Sequence, residues 1–130
     1  VLGTPASGNL VSCTADGTNS IGYLNLPQNA QSSNYSLVNA DRGKHVYSTN
    51  AGAQTITVPT NATAAIDVGA AITIVNNGTT AITFTTTGTT VYKAGTSTAW
   101  ASGGTLGVRG MCTLIKVATD TWFINGSGLS

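Results

Sequence analysis

The sequence predicts an all-β fold: an antiparallel β-sandwich or jelly-roll-like domain preceded by an extended N-terminal arm. Three observations predict it. Short runs of alternating apolar and β-branched residues recur along most of the chain. Gly, Asn, Asp or Pro separates one run from the next. A helical period is nowhere sustained; the single candidate, Asn61 to Ile66, extends for a turn or two.

Residues 1–33 are dominated by Gly, Ser, Asn, Thr and Gln, with apolar residues placed singly. This stretch is expected to be an extended arm, and residues 34–130 the domain. Ser36-Leu37-Val38 is the first β-like run and His45-Val46-Tyr47-Ser48 the second. Gln54-Thr55-Ile56-Thr57-Val58 follows, with Ile56 and Val58 facing inward, and Pro59 ends it because proline cannot donate to a ladder. Ala71-Ile72-Thr73-Ile74-Val75 and Ala81-Ile82-Thr83-Phe84-Thr85 flank Asn76-Asn77-Gly78-Thr79-Thr80, which predicts a hairpin burying Ile72, Ile74, Ile82 and Phe84 on one face. Thr90-Val91-Tyr92 is a weaker strand. A second hairpin is expected from Met111 to Val117 and Trp122 to Ile124, turning at Thr119-Asp120. Its near-continuous apolar content predicts burial on both faces.

Composition narrows the function. The chain has 130 residues, a length suited to one domain, and 41% of them are hydrophobic, which argues against disorder. Only 7% are charged, with a net charge of +1. Five scattered Lys and Arg do not form the basic face that phosphate binding or an anionic membrane requires, so neither nucleic acid nor membrane is expected as a partner. No apolar run is long enough for a transmembrane helix, and Val1 to Gly8 has no signal-peptide pattern. Cys13 and Cys112 lie far apart. They are expected to be unpaired thiols of a protein made in a reducing cytoplasm, with a disulfide tying the arm to the body as the alternative.

Catalysis is not expected. Asp16, Asp41, Asp67 and Asp120 each sit in or near a predicted turn, where capping accounts for them better than a glycosidase pair. A triad of Asp41, His45 and Ser48 is conceivable by residue type, but a histidine within a strand is more often structural. One His, two distant Cys and four Asp give no metal cluster, and no glycine-rich loop carries a phosphate-binding lysine; no cofactor is expected. Asn77-Gly78-Thr79 and Asn125-Gly126-Ser127 match the glycosylation acceptor, a common tripeptide in Asn- and Thr-rich chains. Among aromatics, Trp122 reads as core. Trp100, in a polar loop, and Tyr92 are candidates for an oligomer contact or for stacking on carbohydrate.

The stretch from Tyr35 through Asn39-Ala40-Asp41-Arg42-Gly43-Lys44-His45-Val46-Tyr47 resembles a signature of tailed-bacteriophage and prophage virion proteins. Ile56-Thr57-Val58-Pro59 with Asn61-Ala62, then residues 68–76, then Leu114-Ile115-Lys116-Val117 and Trp122-Phe123-Ile124-Asn125-Gly126 continue it in order over most of 34–128. Residues 2–11 are similar to a segment found before such domains in fibre-type proteins. The resemblance implies a virion surface module without enzymatic activity. These 130 residues contain no stalk or repeat before the domain; taken as the whole protein they give a fibre little material, so a capsid decoration (cement) protein is expected: a homotrimer on the outer surface of the phage head that binds the major capsid protein. The alternative is a tail-fibre or receptor-binding domain that recognises host-surface carbohydrate. Under the first reading Leu10, Val11, Ile21, Tyr23, Leu24 and Leu26 are capsid-contact anchors, and the alternative for them is packing on the chain's own sheet.

Overall fold

A computed structural model describes residues 25–130, and its architecture is all-β. Nine strands form one sheet curled into a nearly closed, barrel-like shape: β1 (Gln28–Gln31), β2 (Tyr35–Ser36), β3 (His45–Ser48), β4 (Gln54–Thr57), β5 (Ala71–Asn76), β6 (Ile82–Thr85), β7 (Thr90–Lys93), β8 (Thr105–Ala118) and β9 (Thr121–Leu129). Strand β1 falls within the stretch read from sequence as arm.

The pairing departs from the expected antiparallel order. Through β6 the chain alternates between two parallel ladders, β1-β3-β5 and β2-β4-β6. Strands β5 and β6 therefore do not form the hairpin expected around Asn77-Gly78; they belong to different ladders. Residues 77–81 instead make a corner that rests on the corner before it. Asn77 N donates to Ser48 O at 3.0 Å, Thr79 N to Asn50 O at 3.3 Å and Thr79 Oγ1 to Ala51 O at 2.7 Å. Stacked corners satisfy backbone groups that a hairpin would have satisfied across its own two strands.

Strand β8 closes the stack. Its first residues pair antiparallel with β6 (Ile82 opposite Leu106) and its later ones with β5 (Ile74 opposite Cys112), so one long strand spans both ladders. Strand β9 returns antiparallel along β8, the hairpin expected at Thr119-Asp120, and β7 lies parallel beside β9. Where β8 passes from one ladder to the other, its pairing with β9 shifts between Leu106 and Met111. That bulge needs close backbone approach. A Cβ on Gly126 would lie 2.1 Å from Met111 O, and one on Gly110 would lie 2.7 Å from Leu106 Cδ1.

Alternation fills the interior as the sequence predicts. Val46, Ile56, Ile72, Ile74, Phe84, Leu106, Leu114, Trp122 and Ile124 are all fully buried. Strands β8 and β9, however, are not buried on both faces. Met111, Thr113, Ile115 and Val117 point outward between buried Cys112, Leu114 and Lys116, and Phe123 does so between Trp122 and Ile124. No further layer covers that side among the described residues.

Polar groups enter the core with partners. Asn76, at the third corner, donates through Nδ2 to Thr80 O, Leu106 O and Gly107 O at 2.9–3.1 Å and accepts from Gly78 N at 3.0 Å. Ser48 donates to Gln54 Oε1 beneath it. Lys116, 2% exposed, donates Nζ to Asn61 Oδ1 at 2.8 Å and Ile66 O at 2.7 Å, with the Trp122 ring 5.8 Å away. These bonds pin residues 59–70 over one end of the barrel. Asp120 Oδ1 adds a bond from Asn61 N at 2.6 Å. The stretch Asn61 to Ile66 forms a turn, within the turn or two that the sequence allowed it, with Thr63 N and Ala64 N donating to Thr60 O.

Candidate functional site: a charge-free outer face and its rim

The two ladders present different surfaces. Outside β2, β4, β6 and the start of β8 lie Ser36, Thr55, Thr57, Thr83, Thr85 and Thr105, in register across the strands. Hydroxyls there hydrate well, and β-branching suits an extended backbone. Outside β3, β5, β8, β9 and β7 the rows are different. One reads Tyr47, Val75, Met111; another reads Ala71, Ile115, Phe123, Tyr92, with Val117 beyond it. Between them runs a polar row, His45, Thr73, Thr113 and Asn125, in which the two threonine hydroxyls are 3.0 Å apart.

No Asp, Glu, Lys or Arg occupies any of these positions. Met111 is 56% exposed, and Ile115, Val117 and Phe123 are 40–44% exposed. The Tyr92 and Phe123 rings pack together with centroids 5.4 Å apart. Five strands at about 4.8 Å spacing make this face about 20 Å wide. Two apolar rows on either side of a polar one set this face apart from the hydroxyl-covered ladder, and exposed apolar rows of this extent are a feature of interaction surfaces in general.

At the rim of this face, beside the β8 bulge, is a cleft of about 380 Å³ lined by Arg109, Met111, Cys112, Thr113, Asn125, Gly126 and Ser127. Burial pushes the Cys112 thiol up from its ordinary 9.0 to about 12. The folded pKa lies above the unfolded one, so this group's contribution to stability is complete below pH 9 and is lost as pH rises towards 12. The native protein should therefore resist iodoacetamide at Cys112 at pH 8 and react once unfolded in urea, as peptide mass mapping would read; fast native alkylation would contradict this. Tyr35, raised by burial and then by the charge of Asp41, acts in the same alkaline direction.

The residues singled out from sequence are dispersed. Leu10, Val11, Ile21, Tyr23 and Leu24, with Cys13 and Asp16, lie outside the described residues. Leu26 is exposed, and its carbonyl is 3.0 Å from His45 Nδ1. Trp100 is not an open platform: its ring packs on Phe84 at 5.3 Å, and Nε1 donates to Ser130 O at 3.2 Å. Tyr92 belongs to the outer face, away from Phe84. Asp41 is spent on Asn29 Nδ2, Tyr35 Oη and Val38 N at 2.8–3.1 Å, while His45 Nε2 faces Gln28 Oε1 at 3.3 Å. No hydrogen bond joins Asp41, His45 and Ser48 into a relay among the described residues.

Asp67 pairs with Arg42 at the surface, where an ion pair contributes little. Among the described residues, no group of three or more His, Cys, Asp or Glu is placed to hold a metal ion. Nor is any helix among them long and apolar enough to cross a membrane. No known family model matches this chain, and no characterised protein matches it either.

Proposed function

We propose that this chain is a non-catalytic structural module of a bacteriophage particle, a capsid decoration protein that assembles as a homotrimer on the outer surface of the head and binds the major capsid protein. The observation that carries the reading is the charge-free apolar outer face of β3, β5, β8, β9 and β7, set against a hydroxyl-covered face on the other ladder. A surface with apolar rows and no ionic groups loses little desolvation energy on association and gains the burial of Met111, Ile115, Val117 and Phe123. Shell proteins present many copies in fixed symmetry, so modest contacts add through avidity. The resemblance of several ordered sequence blocks to those of phage virion proteins is the second support for this reading.

A tail-fibre or receptor-binding role is the second reading, favoured by the pair of exposed Phe123 and half-buried Tyr92, which offers ring surface to a saccharide. Trp100, half-buried against Phe84, would add only its open edge. Copy number separates the two. Quantitative mass spectrometry of purified particles should find this protein in amounts comparable to the major capsid protein. A handful of copies per particle would overturn decoration in favour of the fibre reading.

A further inference from the structure

Seven described residues have positive φ, and six of them are glycines: Gly43, Gly69, Gly88, Gly95, Gly103 and Gly128. The seventh is Arg109, at φ 61°, in the middle of β8. Left-handed backbone is unfavourable for a residue with a Cβ. Elsewhere this chain uses glycine for such positions, and Gly107, Gly110 and Gly128 sit around the same bulge. An arginine at a position that glycine would occupy without strain directs attention to what its side chain meets.

The surroundings say for what. Arg109 is exposed, and among the described residues its guanidinium has no ion pair or hydrogen bond. It borders the cleft that holds Thr113, Asn125 and Ser127 as hydrogen-bonding groups and Met111 as an apolar wall, and no carboxylate lines that cleft. Asn125 and Ser127 likewise have no side-chain partner among the described residues. A guanidinium fork matches a carboxylate in a bidentate pair. An amide and two hydroxyls beside it match a polyhydroxylated ring, and the thioether covers the ring's C–H surface. The volume suits one sugar unit.

We infer that the Arg109 cleft is a binding site for a carboxylated sugar, held by its carboxylate on Arg109 and by its hydroxyls on Asn125 and Ser127. The site shares Met111, Thr113 and Asn125 with the outer face, so it is open to a sugar where no partner copy covers that face, and the titration is made at concentrations where the chain is monomeric. Titration with glucuronate, followed by amide chemical shifts, should perturb residues 109–113 and 125–127 saturably. Glucose, the neutral counterpart, should perturb them at least tenfold more weakly. Arg109→Gly should abolish the glucuronate response while raising the thermal midpoint, because it relieves the left-handed strain, and leaving the oligomeric state unchanged. Asn125→Ala should weaken binding severalfold. No response to glucuronate, or an undiminished response in Arg109→Gly, would overturn the inference. An equal response to inorganic sulfate would reduce the site to a simple anion contact and overturn the sugar assignment.

Discussion

Replacing Lys116 with alanine should lower the folding free energy by about 4 kcal/mol, measured by urea denaturation. The estimate has two parts. Truncation leaves the buried Ile66 O without its donor, at about 1–3 kcal/mol, and the half-buried Asn61 Oδ1 as well, at less because water reaches it. It also opens a cavity against Trp122, whose own Nε1 already has no partner. Lys116→Met keeps most of the volume and should cost about 2 kcal/mol, so the difference between the variants isolates the packing share. The loss should be local in its consequence: residues 59–70, pinned by Lys116 and Asp120, should lose hydrogen-exchange protection first. A change below 1 kcal/mol for Lys116→Ala would mean that the ammonium is not the pin assigned to it.

If copies associate through the outer face as proposed, placing a charge on it should dissociate them. Ile115→Lys or Phe123→Lys should weaken self-association at least a hundredfold, on the order of 3 kcal/mol, because an unpaired ammonium must be desolvated where an apolar side chain was buried. Sedimentation equilibrium reads this directly. Each variant's protomer should remain folded, since both positions are at least 40% exposed within one chain and a lysine stem lies comfortably along a sheet. Thr83→Lys, on the hydroxyl-covered ladder, is the matched control and should leave association unchanged. A wild-type chain that stays monomeric at high concentration would remove the face from the argument, as would an Ile115→Lys variant that still assembles.

These expectations rest on features with unequal traces in the sequence. Alternation of Ile56, Ile72, Ile74, Ile82 and Phe84 identified strands and their inward residues, because side chains in a strand repeat with period two whichever partner the strand takes. The β8–β9 hairpin was legible for a similar reason: its turn at Thr119-Asp120 is local. The corner at Asn77-Gly78 misled, since the same residues that favour a tight hairpin also suit a corner between ladders. His45 opposes Thr73 and Gln54 opposes Ile82, the same 28-residue offset in both ladders. At that offset Asn50-Ala51-Gly52 meets Gly78-Thr79-Thr80, with no residue in common, so the winding between parallel ladders left no legible repeat in the sequence.

The candidate site was less legible. Met111, Ile115, Val117 and Phe123 read as core because composition cannot tell an apolar face turned inward from one turned outward. Nothing in the order of residues announces the backbone conformation of Arg109, or that Lys116 turns into the barrel while Arg109 remains at its rim.

By itself, then, the sequence determined an all-β chain, the places of most strands, the residues that form the core and a surface nearly free of charge. Each follows from interactions between near neighbours: alternation, β-branching and turn chemistry. Only the tertiary structure decided the parallel pairing, the outward side of β8 and β9, the partners of the buried lysine and the cleft beside Arg109. Those depend on contacts between residues tens of positions apart, and a ladder's partner is fixed by the whole stack rather than by either strand.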